Sequence, residues 1–346
     1  MNRSDIRQIA IAAVAVVAAA LAHYLDAPAV VTFVIAAAAI ALLARLVGGA
    51  TEQLGSRVGS SAAGVVQSAL GNLPELFIAI FALRDGLIEV VQAALVGSVI
   101  ANGVLVLGIA FLVGGLKNGT QTFDSPHART IATLAALAAA ILSMPTLAHT
   151  FHTPAAAHGK ALSLICAGVL IVLFFITLPS FLQSRGAPET EPPRWTLRLT
   201  VIVLGVSGAA AALVSDWFVT ALTPATEALH MSQAFAGLVI VAIAGNAVEN
   251  VVGVQLARRN RPDFAISVIV NSALQVALLL TPIIVFVSLF FATPLTLVFS
   301  PLLAIALLMG AAIGALIVYD GESTWQEGAM LIGLYVVIAT SFWWGT

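Results

Sequence analysis

Two glutamates stand out because nothing near them in the chain can neutralise them. Glu75 and Glu249 lie inside long apolar runs, each nine residues ahead of an arginine (Arg84, Arg258) that closes its run. Nine helical residues rise about 13 Å, which reaches close to the middle of a bilayer. A charge at that depth costs roughly 2.5–3.5 kcal/mol even on a lenient insertion scale. The other fourteen of the sixteen acids fall at the ends of apolar runs or between them, and no lysine or arginine lies deep enough to pair with these two. Each must be protonated or neutralised by a bound cation. The chemistry on offer is cation binding in competition with protons.

The residues around the two acids suit that chemistry. On a helix, Ser68, Gly71, Asn72, Glu75 and Ala79 share one face, and Ala242, Gly245, Asn246, Glu249 and Gly253 share the matching face of a second segment. Pro74 carries no N–H, so the Leu70 carbonyl loses its helical donor and is free to face an ion. Ca2+ takes six to eight hard oxygens in flexible geometry. Two carboxylates, the amides of Asn72 and Asn246, the Leu70 carbonyl and water supply that kind of set. Ser98, Ser272, Asn102, Asn271 and Gln275 are the next candidates, on the segments that follow. For the two asparagines the alternative is hydrogen-bonded glue between helices. Glu89 and Asp263 open their segments and read first as helix-end residues that complement the macrodipole.

The two acids belong to an internal repeat. Gly71-Asn72-Leu73-Pro74-Glu75 matches Gly245-Asn246-Ala247-Val248-Glu249 at an offset of 174. In the same register Arg84 matches Arg258, Glu89 matches Asp263, and Ser98 matches Ser272. An ungapped match of acid, amide, arginine and serine is poorly explained by chance similarity between alanine-rich helices.

The elements that must position these residues are membrane helices. Of 346 residues, 60% are hydrophobic and 9% charged, and the mean hydropathy is +1.07. A soluble domain carries roughly 25% charged residues, so the chain is expected to be an all-α membrane protein, its partner the lipid bilayer. Eleven apolar segments fall near 6–24, 28–49, 55–83, 88–114, 129–149, 160–182, 196–218, 232–258, 263–291, 295–318 and 326–344. The first is long for a secretory signal and leads into further membrane segments. The expected organisation is a leading helix (1–24), a first five-helix repeat (28–182), a linker (183–195) and a second five-helix repeat (196–346). With eleven spans, 12 of the 14 Lys and Arg fall on one side and only Arg84 and Lys160 on the other. The basic side is cytoplasmic, which puts the N-terminus inside and the C-terminus outside. Five spans separate the two copies, so they run in opposite directions, the inverted arrangement that places a transport site near the midplane. Five of the six histidines (His23, His149, His152, His158 and His230) fall on the outer side and read as solvated loop residues.

Other classes lack their signatures. A net charge of −2 offers nothing to nucleic acid, and Cys166, the single cysteine, allows neither an internal disulfide nor a cysteine metal site. No His-Glu-x-x-His, Gly-x-Ser-x-Gly or P-loop sequence is present, so the chain is not expected to be an enzyme or to carry a cofactor. A passive channel fits two acids on inverted repeats less well than a gated site does.

With these motifs in place, the sequence resembles the Ca2+/cation:proton antiporter (CAX-type) branch of the cation/Ca2+ exchanger superfamily. The resemblance rests on Gly71-Asn72-Leu73-Pro74-Glu75-Leu76 with Gly97-Ser98-Val99-Ile100-Ala101-Asn102, and on Gly245-Asn246-Ala247-Val248-Glu249 with Ser272-Ala273-Leu274-Gln275. It implies antiport of Ca2+ against H+ by alternating access. It also implies a Ca2+ site built on Glu75 and Glu249, with Asn, Ser and Gln side chains and backbone carbonyls around it. The alanine-rich, loop-poor chain points to a bacterium, and so to its plasma membrane. The chain departs from the family pattern at Asn250, where histidine is frequent, and at Asn271, where glycine is frequent. Both departures bear on ion selectivity. Its linker offers only Glu189 and Glu191 where many members carry an acidic stretch. Na+/Ca2+ exchange and monovalent cation/H+ exchange are the neighbouring alternatives. The first is disfavoured because the segments following the two Glu motifs hold no interior acid.

Overall fold

The computed structural model describes residues 3–57, 70–182 and 194–345. They form helices α1 (Arg3–Tyr24), α2 (Ala29–Gly55), α3 (Leu73–Arg84), α4 (Ile88–Asn118), α5 (Ser125–Thr150) and α6 (Gly159–Leu182). A second series follows: α7 (Leu197–Ala228), α8 (Gln233–Gly245), α9 (Ala247–Arg258), α10 (Pro262–Phe290), α11 (Pro301–Ile317) and α12 (Trp325–Ser341). Seven of these helices are long and apolar enough to cross a membrane, or eight if the bent pair α8–α9 counts as one crossing. The all-α membrane class expected from composition is the one observed. Among the described residues the one strand pairing is a two-residue antiparallel bridge, Gln121–Thr122 with Glu322–Ser323.

The structure corrects several expectations. The segment read as one helix over 232–258 is two helices, meeting at a 64° bend next to Asn246. The helix carrying Glu75 begins at Leu73, with Asn72 non-helical ahead of it; Ser68 and most of the 55–83 segment before that point lie outside the described residues. The helix expected to end at 218 continues to Ala228, so Asp216 sits within α7 rather than at its end. The segment expected to start at 295 becomes helical only at Pro301. Most of the linker, with Arg185, Glu189 and Glu191, also lies outside the described residues.

The breaks have local causes. Asn72 (φ −94°, ψ 17°) and Asn246 (φ −90°, ψ 20°) occupy the sparsely populated bridge region. Pro74, at the second position of α3, cannot continue a preceding α-helical ladder and is tolerated in a first turn. In the second copy the break follows Gly245, which packs directly on Glu75: a Cβ there would fall on the Glu75 side chain, 2.9 Å from Oε1.

Helix packing then fixes the frame. α2 and α7 lie together, with Phe33 and Phe218 stacked at 4.8 Å between ring centres, and α1 joins them through His23 on Trp217 at 5.5 Å. Arg84, at the end of α3, pairs with Asp216 of α7 at 2.7 Å. α4 approaches α8 closely, since a Cβ on Gly97 would lie under 3 Å from the Leu238 backbone and one on Gly237 would lie 2.9 Å from the Ala93 Cβ. Close approach of this kind is what small residues give membrane helices, where no hydrophobic force draws them together.

Between α10 and α11 the chain is non-helical, and from Leu295 to Phe299 every second side chain is buried, with Leu297 0% exposed. Such a backbone must find partners away from water. The Leu297 and Phe299 amides donate to Ser163 Oγ (2.9 Å) and Thr146 Oγ1 (2.8 Å). Gln92 Nε2 donates to the carbonyls of Thr296 (2.8 Å) and Val298 (3.0 Å).

Candidate functional site

Both acids sit in the first turn of a helix that starts inside the protein, Glu75 on α3 and Glu249 on α9. A helix N-terminus points its N–H groups and positive dipole end at whatever lies ahead of it. The starts Leu73 and Ala247 and the ends Arg84 and Arg258 are both 174 residues apart, as are the starts of α4 and α10. A widened π-helical stretch follows in each, Ala101–Val106 in α4 and Val276–Leu280 in α10. Stretches of this kind are frequent at functional sites, since they displace backbone groups from the ordinary ladder.

Polar side chains from both copies meet at Glu75, which is 6% exposed. Ser98 Oγ donates to Glu75 Oε1 at 2.9 Å, and Asn246 Nδ2 donates to the same oxygen at 2.5 Å. The Asn246 amide nitrogen also lies 3.0 Å from Ser98 Oγ and 2.9 Å from the Ala242 carbonyl. Its oxygen accepts from Asn102 Nδ2 (2.9 Å) and from Ser272 Oγ (3.2 Å), while Asn102 Nδ2 also reaches Ser272 Oγ (3.2 Å). Glu75, Ser98, Asn102, Asn246 and Ser272 thus form one network. Among the described residues, Glu75 Oε2 and Asn102 Oδ1 are buried without a hydrogen-bond partner. Both are oxygens with lone pairs to give, and leaving them unpaired away from water is costly. Glu249 occupies the corresponding first turn of α9 and is half-buried. A narrow crevice lined by Glu75, Ile78, Ala79, Val91 and Ser98 runs along α3 and α4.

The other expected ligands are placed less centrally. Asn72 is buried at the break before α3. Leu70 lies just ahead of that break, where Pro74 offers its carbonyl no N–H. Gln275 sits one turn past Ser272, outside the network, and Asn271 donates instead to Ser267 Oγ at 3.1 Å. Glu89 and Asp263 occupy the first turns of α4 and α10. Among the described residues no three His, Cys, Asp or Glu converge. The donor set is therefore carboxylates plus neutral oxygens, the set hard cations take. Sequence reasoning missed that both acids sit at helix starts, although Pro74, with an asparagine just ahead of each start, marks where they begin.

A family profile described as sodium/calcium exchanger protein matches residues 28–182 and 199–344, nearly the whole chain. The chain belongs to that family. Within it, the chain is 35% identical to a Ca(2+)/H(+) antiporter of Aphanothece halophytica over 344 residues, 93% of this chain and 92% of that one. It is 33% identical to the Ca(2+)/H(+) antiporter ChaA of Bacillus subtilis (strain 168), covering 91% and 92% of the two chains. Among solved structures, native YfkE superposes with a TM-score of 0.84 at 31% identity, over 97% of this chain and 99% of that one. The H+/Ca2+ exchanger CAX, at 16% identity, shares the fold with a TM-score of 0.78 over 98% and 92%. These are family matches to transporters, and the chain is not an enzyme.

Proposed function

We propose that this chain exchanges Ca2+ for H+ across a bacterial plasma membrane by alternating access. The observation that carries the reading is the pair of buried, unpartnered oxygens, Glu75 Oε2 and Asn102 Oδ1, in a network contributed by both copies of the repeat. Glu75 and Glu249 share the ion. Ser98 and Asn246 hold the Glu75 carboxylate in place, and Asn102, Ser272, Asn72, Gln275 and the Leu70 carbonyl supply further oxygens. When the ion leaves, protons take its place on the two carboxylates, so the emptied site stays neutral as it turns to the other side. The named Ca(2+)/H(+) antiporters aligned over nine-tenths of the chain support the same cargo.

The proposed frame is eleven passes, a leading helix and two inverted five-helix repeats, with the N-terminus cytoplasmic. Ion-dependent proton flux in proteoliposomes tests the exchange, with Ca2+, Mn2+, Na+ and K+ compared. Ca2+ should drive proton movement without Na+ or ATP, and Ca2+ uptake undiminished after collapse of the proton gradient would refute the coupling. For topology, Gly345→Cys in a Cys166→Ala background should react with an impermeant thiol reagent from outside; reaction only after the membrane is opened rejects the eleven-pass frame.

A further inference from the structure

The two copies of the repeat are not equivalent along one helix face. On α10, Asp263, Ser267, Asn271 and Gln275 follow each other at intervals of four, so they line one face from the start of the helix to the level of the site. Their counterparts on α4, 174 residues earlier, are Glu89, Ala93, Gly97 and Ala101. Only the acid at the mouth is kept; the next three positions are polar in one copy and small and apolar in the other.

Packing differs in the same sense. Ala93, Gly97 and Ala101 are buried, and the backbone of α8 lies directly on Ala93 and Gly97, with no room for a side chain at Gly97. Ser267, Asn271 and Gln275 are only half-buried, while Ala265, Ile266, Ile269, Val270 and Leu274 on the other faces of α10 are buried. The Asn271 amide is also oriented. Its Nδ2 is held by Ser267 Oγ at 3.1 Å, and its Oδ1 is buried with no hydrogen-bond partner. On the neighbouring α9, Asn250 Oδ1 is likewise buried without a partner, and its counterpart in the first copy is Leu76. At these two positions the second copy therefore carries spare amide oxygens where the first has Leu76 and Gly97.

We propose that Ser267, Asn271 and Gln275 form a polar track on α10 along which a divalent cation passes between one membrane face and the Ser272–Asn246–Glu75 network, with Asn271 Oδ1 as an oxygen ligand on the way. The assignment of Ca2+ as cargo rests on the exchange reading above. A hard cation gives up its water stepwise when protein oxygens replace it, and oxygens one helical turn apart offer such a series. The track starts at the Arg258–Arg261 turn, the basic and therefore cytoplasmic side in the proposed orientation. The matching face of α4 is pressed against α8, and the crevice beside Glu75 runs along a different, apolar face of α4 by Val91 and Leu95.

Cysteine accessibility tests the track without reference to the ion carried. In the full chain with Cys166→Ala, Ser267→Cys, Asn271→Cys and, as the counterpart, Ala93→Cys are treated with a small anionic thiol reagent in everted and in right-side-out vesicles. Ser267→Cys and Asn271→Cys should label at least tenfold faster in everted vesicles, and Ala93→Cys should stay unlabelled in both. Absence of labelling at both track positions, or labelling of Ala93→Cys at a similar rate, overturns the proposal. Gln275→Cys serves if either variant fails to enter the membrane. In proteoliposomes Asn271→Leu should slow Ca2+ uptake at least fivefold while Asn271→Ser, which keeps an oxygen, retains most of it; equal rates for the two remove Asn271 as a ligand. Side-specific labelling in a protein that then moves another cation would change the cargo and leave the track standing.

Discussion

Asn246 Nδ2 donates to Glu75 Oε1 at 2.5 Å, so the amide that opens α9 grips the acid that opens α3. The bond crosses between the two copies of the repeat. A hydrogen bond to a charged group is worth roughly 1.5–3 kcal/mol. Asn246→Ala leaves Glu75 with Ser98 as its remaining donor in the network and should lower the Ca2+ uptake rate by about tenfold or more. Isotope uptake into vesicles, normalised to the amount of inserted protein, measures this; an unchanged rate would remove Asn246 from the machinery.

Glu75→Gln and Glu249→Gln keep side-chain size but remove the charge that Ca2+ and protons contest. Each alone should abolish exchange while the protein remains folded in the membrane, because the neutral amide resembles the protonated acid. Glu89→Gln, at a helix mouth, should stay within about threefold of the wild type, as macrodipole contributions at exposed ends are below about 1 kcal/mol. The site is misplaced if either interior variant transports normally.

Acidification should weaken Ca2+ binding. A proton on either carboxylate removes charge that Ca2+ requires, so apparent affinity falls as pH falls and recovers as pH rises. Displacing one proton per ion gives at most about tenfold per pH unit, and two give at most about a hundredfold. Uptake against Ca2+ concentration at a series of pH values gives the slope. A flat line would show that protons and Ca2+ do not share these groups.

Gly245→Ala should be far more harmful than a typical glycine change in a helix. The added Cβ meets the Glu75 side chain, whereas a Cβ on Gly205 of α7 meets nothing within 4 Å. Overpacking of this kind costs about 1–3 kcal/mol, and here the strain falls on the acid itself. Exchange should drop at least tenfold in Gly245→Ala and hold in Gly205→Ala. Equal activity of the two would contradict the close approach of α8 to Glu75.

The acids were legible in the sequence because an ionisable group deep in an apolar run has few bland explanations. Ser98, Asn246 and Ser272 were legible as candidates through the constant offset of 174, and Asn102 as an amide one turn from Ser98. The breaks at Asn72 and Asn246 were not, since hydropathy is the same for a continuous helix and a broken one. Nor was the length of α7. Its partner for Asp216 is Arg84, remote in sequence, and without that pair an acid after an apolar stretch reads as a helix end. The non-helical chain before Pro301 misled for a related reason. Phe291, Leu295, Leu297 and Phe299 look like membrane helix, and only Gln92, Thr146 and Ser163 on other helices show that the backbone is satisfied another way.

That non-helical chain has a consequence for hydrogen–deuterium exchange. Its Leu297 and Phe299 amides are held by side chains on α6 and α5 and not by a ladder of their own. Local fraying cannot free them, because Ser163 and Thr146 must first move away with their helices. Leu297 and Phe299 should therefore trade their amide protons as slowly as the helix interiors, and lose protection only when α5 and α6 separate from α10. Fast exchange at these two non-helical residues would mean that this part of the bundle opens on its own.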